Sequence, residues 1–151
     1  MSEIVLGLDV SKASRDALVW AAHHARLTGS ELRAVHALMV SPTLTATAGL
    51  MSAPASTDAD DRVEQTYRDA VIAVWETVEP EPDWRLEFYH ADPRGLLMTE
   101  SARAGLLVIG TRDHVGWGRI LNGSVSHYCL SHATCPVVAV PAGIYDTAAA
   151  G

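Results

Sequence analysis

The chain has 151 residues, of which 48% are hydrophobic, and this is enough to form one domain with an apolar core. Its 18 acidic and 11 basic residues give a formal net charge of −7, and no run of Lys or Arg occurs. A surface of this sign repels nucleic-acid backbones, so composition argues against a nucleic-acid role but leaves room for a single nucleotide in a pocket.

Three features bear on the location of the protein. The sequence opens with Met1-Ser2-Glu3, which supplies no basic segment ahead of a long apolar run, so we expect no signal peptide. No stretch is apolar for long enough to cross a bilayer. Two cysteines, Cys129 and Cys135, are too few for a disulfide framework. We therefore predict a cytoplasmic protein without a membrane partner.

The first third of the chain predicts a strand, a helix and a second strand. Residues 4–10 form a short apolar run. Ser11 or Ser14 can cap the following helix, whose apolar residues recur at helical spacing until a glycine stops it. Residues 32–40 form the second strand-like run. Residues 41–57 are rich in Ser, Thr, Ala, Pro and Gly without any period, which predicts a long loop of the kind that covers a site or stays partly disordered.

An amphipathic helix and an edge strand are predicted next. Negative charge, which the helix dipole favours at an N-terminus, comes from Asp58, Asp60 and Asp61. Apolar side chains then recur every three or four residues, at Val63, Tyr67, Ala70, Val71, Val74, Trp75 and Val78. Trp84, Leu86 and Phe88 alternate with polar residues and Tyr89, which is typical of a half-covered edge strand.

A helix and a buried strand follow. Asp92 and Pro93 suit the N-cap and first position of a helix that continues to Ala104. Residues 106–109 form an uninterrupted apolar run that stops at Gly110, as expected of a strand covered on both faces.

The next predicted helix runs from Ser124 to Ala133, and its free N-terminal N–H groups would attract an anion such as phosphate. The pattern His127-x-Cys129-x-x-His132-x-x-Cys135 begins in this helix, ends just beyond it and has the density of a metal cluster. In a helix, however, His127 and Cys129 lie about 200° apart around the axis and cannot face one ion. We favour a buried Cys129 with histidines at the surface or at an interface.

Strands and helices therefore alternate along the chain, with a fifth strand from Val137 to Val140 and no internal repeat. This alternation predicts an α/β fold, a single doubly wound parallel sheet with right-handed crossovers and helices on both faces.

The segment from Gly110 to Ser126 resembles the nucleotide loop of the universal stress protein family. ATP-binding members of that family carry Gly-x-x-Gly, nine residues, and then Gly-Ser/Thr. Gly110, Gly123 and Ser124 match in identity and spacing, whereas Asp113 stands where the second glycine would be. The resemblance implies an adenine nucleotide alpha hydrolase-like fold with a five-stranded sheet of order 3-2-1-4-5, covering residues 1–143, with residues 144–151 as a tail.

The resemblance also implies a site for ATP, with Mg²⁺ as a companion ion, where the first and fourth strands end side by side. Asp9 would hold the ribose, Ala37 would contact the adenine, and the segment ending at Ser126 would hold the phosphates. The implied nucleotide-binding residues are Gly7, Leu8, Asp9, Ala37, Ile109, Gly110, Arg112, Asp113, Gly123, Ser124, Val125 and Ser126. No residue is assigned a catalytic or metal-binding role.

Three functions follow from this resemblance. The first is an ATP-binding stress-response protein that forms a homodimer through the last strand, from Val137 to Val140, and signals to an unknown protein partner. The second is a nucleotide-free dimeric scaffold, because the Asp113 carboxylate would repel phosphate. The third is a slow ATP hydrolase. We favour binding over catalysis because neither a Walker lysine nor a Ser-His-Asp arrangement is recognisable.

Overall fold

The computed structural model of the chain describes residues 2–38, 58–112 and 125–146, with the side chains of all of these except residues 58 and 59. The strands in these parts of the chain are β1 (Glu3–Gly7), β2 (Glu31–Ala37), β3 (Arg85–Tyr89), β4 (Leu106–Thr111) and β5 (Val137–Pro141). The helices are α1 (Lys12–Thr28), α2 (Asp58–Glu76), α3 (Pro93–Ser101) and α4 (Val125–His132).

All five strands pair in parallel, in the order β3-β2-β1-β4-β5. This confirms the predicted doubly wound α/β fold and places β3 at an edge, as its alternating pattern indicated. In the central strand, Leu6 lies opposite Ala34 of β2 on one side and Val108 of β4 on the other. The amino-terminal and carboxyl-terminal ends of the strands therefore gather at opposite edges of the sheet.

The core has two layers because helices cover both faces of the sheet. Ile4, Leu6 and Leu8 belong to a cluster with buried residues of α1 and α2. Val5, pointing to the other face, packs with buried residues of α3 and α4. Such coverage explains why residues 4–6 of β1 and 106–109 of β4 are apolar without interruption.

The apolar stripe predicted for α2 is covered only along its second half. Val71 and Trp75 are buried. The residues in the first half of the stripe are exposed, namely Val63, Tyr67 and Ala70. In this first half Arg68, rather than an apolar residue, approaches the sheet, and its guanidinium carbon lies 4.9 Å from the centre of the Phe88 ring.

Several predicted boundaries also change. Strand β1 spans Glu3–Gly7, whereas the predicted run covered residues 4–10. The helix expected to continue to Ala104 ends at Ser101, and the N–H groups of Arg103 and Ala104 bond to the carbonyl of Glu100 in a terminal turn. Strand β2 ends at Ala37, whereas the predicted run reached residue 40, and residues 39 and 40 lie outside the described part of the chain.

A buried arginine of β2 links its strand to β1, β3 and α3. The Arg33 side chain is 7% exposed, and its nitrogens lie 2.9 Å from the Glu3 carboxylate and 3.1 Å from that of Glu87, while Nη2 pairs with Glu100. The hydrogen bond with Glu3 raises the pKa of Arg33 above its ordinary value. Burial alone would raise the pKa of Glu87, but hydrogen bonds from Tyr89 and Arg33 outweigh it and lower that pKa.

The chain after β5 folds back onto α1. Gly143 adopts a left-handed φ of 82° and its N–H donates to Oδ2 of Asp16 at 2.7 Å. Nearby, Lys12 and Asp146 form an ion pair at the surface, at 2.9 Å. None of the described helices is long and apolar enough to cross a membrane.

Candidate functional site

The sheet reverses its winding between β1 and β4. These strands are adjacent and parallel, yet the chain builds β2 and β3 on one side of β1 before it returns to form β4 on the other. In open α/β sheets such a reversal leaves a crevice beyond the carboxyl ends of the two strands. The residues that follow β1 and end β4 therefore form the candidate site.

The turn from β1 into α1 is held by hydrogen bonds. Asp9 N–H donates to the hydroxyl of Ser14 at 2.7 Å, and Ser11 N–H donates to Oδ1 of Asp9 at 2.7 Å. Ser11 is the N-cap of α1, because its hydroxyl accepts from Ser14 N–H. Asp9 is exposed, so its carboxylate serves the turn and still faces solvent, where a ligand could reach it.

A side chain near the end of β2 contacts this turn. His36 Nδ1 lies 2.6 Å from the carbonyl oxygen of Leu8, and its ring meets Phe88 edge-on at 5.8 Å between centres. Ala37 follows at the end of β2, opposite Tyr89, and is partly buried.

Gly110 is required by the packing of the fold. A Cβ atom at this position would lie 2.5 Å from the carbonyl carbon and oxygen of Ala13 and 2.7 Å from the nitrogen of Ser14. No side chain fits there, because the backbone of α1 fills the space. Gly110 is also one of the residues implied for nucleotide binding, and the close approach of α1 gives the glycine a structural reason of its own.

Ser14 consequently joins the two halves of the site. It is 4% exposed, its hydroxyl holds Asp9, and its backbone lies against Gly110. In the sequence Ser14 is recognisable only as a possible cap of α1. No sequence pattern marks its additional role, which depends on the position of α1 beside β4.

The other predicted site residues have different surroundings. Leu8 and Ile109 are 3% exposed and pack in the core, so only their backbone atoms could face a ligand.

Arg112 is exposed just beyond β4, and Val125 and Ser126 begin α4. Gly7 ends β1, with Leu97 close to the position that its Cβ would take. Three predicted residues lie outside the described part of the chain, namely Asp113, Gly123 and Ser124.

The His and Cys pattern in α4 has a structural explanation. Cys129 is fully buried, and burial raises the pKa of its thiol to about 11. Among the described residues, no group of three His, Cys, Asp or Glu side chains could hold a metal ion. The interpretation of Cys129 as a core residue is confirmed.

The sheet order, the two covered faces and the crevice between β1 and β4 define a doubly wound α/β protein of the kind that binds ligands beyond its strand ends. Residues 1–141 match the family model described as Universal stress protein family. The chain belongs to this family.

Solved structures of universal stress proteins share the fold. One in complex with cAMP is 19% identical with a TM-score of 0.62, over 92% of this chain and 95% of that one. A family member from Arabidopsis thaliana with AMP bound is 15% identical, with a TM-score of 0.60, over 97% and 96% of the two chains. A third, from Archaeoglobus fulgidus in complex with dAMP, is 21% identical with a TM-score of 0.56, over 93% and 97%.

Proposed function

We propose that this chain binds an adenine nucleotide, ATP in the first place, in the crevice between β1 and β4. The observation that carries the proposal is the junction at Ser14, which holds the Asp9 turn and lies against the end of β4 at Gly110. Family membership supports it, as do the cAMP, AMP and dAMP complexes of structural relatives. In this proposal the protein is a cytoplasmic homodimer of one domain, residues 1–143, that reports its nucleotide state to a protein partner in the stress response.

Each part of the crevice suits one part of the ligand. The Asp9 carboxylate accepts hydrogen bonds only, which matches the ribose hydroxyls. Ala37, at the end of β2, leaves room for the adenine ring beside it. The exposed Arg112 and the start of α4 at Val125 and Ser126 supply positive charge and N–H donors for phosphates.

Mg²⁺ would enter with the phosphates of ATP. Because the described residues offer no cluster of three ligands, the ion would depend on phosphate oxygens, water and at most one or two carboxylates, which is the usual mode for Mg²⁺. Its contribution would be to neutralise phosphate charge near this acidic chain.

The proposal is tested by the nucleotide that the protein carries. Purified protein is extracted with acid, the supernatant is run on an anion-exchange column, and thermal stability is measured against ATP, ADP, AMP and cAMP, each with and without Mg²⁺. Co-purified adenine nucleotide, or stabilisation that rises with ligand concentration as mass action requires, is the expected result. A chain that carries no nucleotide and gains no stability from any of them overturns the proposal.

Asp9→Ala should weaken ATP binding by roughly tenfold to a hundredfold, the range expected when a charged hydrogen-bond acceptor is removed. Titration calorimetry with ATP and with 2′,3′-dideoxy-ATP measures the effect. The wild type should prefer ATP, and Asp9→Ala should lose most of that preference. Asp9→Asn, which keeps an acceptor for Ser11 N–H, controls for loosening of the turn. Equal losses for both ligands would contradict the ribose role.

Asp113→Gly should strengthen ATP binding. A like charge about 4 Å from a phosphate oxygen costs about 1 kcal/mol in water and about 4 kcal/mol at an effective dielectric constant of about 20, so affinity should rise by roughly fivefold to a thousandfold. The gain should be larger for ATP than for AMP, which carries less charge. Asp83→Gly, at an exposed turn position, changes the net charge equally and should leave both affinities unaltered. An unchanged ATP affinity in Asp113→Gly would discard the charge argument.

A nucleotide-free dimeric scaffold is the second candidate, and the carboxylate of Asp113 in the phosphate-binding motif favours it. Both candidates use the same dimer, because β5 is an edge strand in the described sheet and Val137, Val138 and Ala139 are only partly buried there. Light scattering on the purified protein tests the dimer. Nucleotide extraction then separates the two functions, since only the first requires a bound ligand.

A further inference from the structure

One peptide unit in the candidate site is held at both of its polar atoms by side chains. The unit joins Leu8 to Asp9, so it contains the carbonyl of Leu8 and the N–H of Asp9. The carbonyl oxygen lies 2.6 Å from His36 Nδ1, and the N–H donates to the Ser14 hydroxyl at 2.7 Å. Because a peptide unit is planar, fixing both atoms fixes the orientation of the whole unit.

The chemistry of the carbonyl group settles how His36 takes part. A carbonyl oxygen only accepts, so Nδ1 of His36 must carry the hydrogen and donate it. The imidazole has little freedom to turn away, since it is partly buried and its ring meets the edge of Phe88 at an angle of 72°. Strand β2 therefore bonds to the residue after β1 in two ways. Its His36 side chain donates to the Leu8 carbonyl, and its backbone accepts from Leu8 N–H, at 2.9 Å from the Val35 carbonyl oxygen.

The orientation of this unit matters for Asp9. It is the peptide immediately before the Asp9 Cα atom, so its plane helps to set the direction in which the carboxylate leaves the turn. Asp9 is exposed and its carboxylate has one partner within the turn, the N–H of Ser11. A free peptide at this point would let the carboxylate sample directions that miss the ligand.

Building on the proposed function, we propose that His36 is a positioning residue for the nucleotide: it orients the Asp9 carboxylate toward the ribose hydroxyls by fixing the Leu8–Asp9 peptide, without contacting the ligand. The same geometry gives Ser14 a parallel role at the other atom of the peptide. Ser14 is 4% exposed, so its replacement would also disturb packing, whereas His36 is only partly buried and gives the cleaner test.

The test begins with two substitutions of His36 and ATP as the probe. His36→Leu removes the donor, and ATP affinity measured by calorimetry should fall about five- to tenfold, the loss expected for one buried hydrogen bond. His36→Asn returns an N–H donor close to the position of Nδ1 and should recover most of the affinity. His132→Leu is the matched control, because its Nδ1 also bonds a backbone carbonyl, that of Tyr128 at 3.0 Å, but in the last turn of α4. It should bind ATP as the wild type does.

A double-mutant cycle separates positioning from general stability. If His36 acts through Asp9, the combined Asp9→Ala and His36→Leu protein should bind ATP no more weakly than Asp9→Ala alone. Losses that multiply, an unaltered affinity in His36→Leu, or no recovery in His36→Asn would each overturn the inference while the proposed function stands. A wild-type protein that binds no nucleotide would overturn both.

Discussion

Replacing Arg33 with Met should lower the free energy of unfolding by about 3–5 kcal/mol, the usual cost of breaking a buried ion pair by removing one partner. The substitution leaves the carboxylate of Glu100, whose side chain is 3% exposed, with the highly exposed Arg103 at 3.5 Å as its remaining ion-pair partner among the described residues. Glu3 and Glu87 lose the same partner but are 23% and 31% exposed. Glu3 also keeps Arg85 at 3.1 Å. Most of the cost should therefore arise at Glu100.

Denaturant unfolding followed by tryptophan fluorescence measures this effect, since Trp75 and Trp84 are both 8% exposed and change environment when the core opens. Adding Glu100→Leu to Arg33→Met should restore a large part of the loss, because an apolar pair needs no counter-charge. Lys12→Met, which breaks an exposed pair, should cost less than about 1 kcal/mol. If Arg33→Met costs no more than Lys12→Met, the buried cluster does not stabilise the fold.

Gly110→Ala should strongly destabilise the fold, with an expected loss of about 3 kcal/mol in the free energy of unfolding, the upper end of the usual cost of overpacking. The added Cβ would meet backbone atoms of Ala13 at 2.5 Å, and backbone cannot rotate aside as a side chain can. To relieve the overlap, α1 must move away from β4, which also loosens its packing on the sheet.

The matched control is Gly95→Ala in α3. Among the described residues a Cβ there would meet only the Asp92 carboxylate, at 3.9 Å, so the change should be neutral or stabilise by up to about 1 kcal/mol through helix propensity. Equal unfolding midpoints for Gly110→Ala and Gly95→Ala would contradict the packing argument. Loss of ATP binding in Gly110→Ala would follow from distortion, and so the ligand site is better tested at Asp9.

The sequence was sufficient to predict the fold because its signals are local. The alternation of apolar strands with helices predicted the parallel sheet, and Asp92 is the N-cap of α3, accepting from Gly95 N–H as its position before Pro93 suggested. The unbroken apolar run of β4 correctly indicated a strand covered on both faces.

Features that depend on distant residues were missed. Arg33 appears as one charge within an apolar strand, and its partners lie 30, 54 and 67 residues away, on three other elements. Periodicity likewise assigned Val63 and Tyr67 to the buried face of α2. It does not tell how far along the helix the sheet extends, and both side chains are exposed.

For the candidate site, topology was the informative signal. The sheet order implied by the family resemblance brings the residues after β1 to the end of β4, and it predicted that Asp9 and Gly110 lie at one edge of the sheet. Ser14 and His36 could not be given their roles, since those rest on single hydrogen bonds that only a three-dimensional arrangement reveals.

The contact between Gly110 and the backbone of Ala13 and Ser14 divides the crevice into a fixed floor and an adjustable rim. Main-chain atoms form the floor, so a substitution at Gly110 cannot adjust its shape and would only disrupt the packing of α1 against β4. In the proposed site the rim would consist of exchangeable side chains, such as those of Asp9, Ala37 and Arg112. A library built to change which small molecule this protein accepts should randomise the rim and spare the floor.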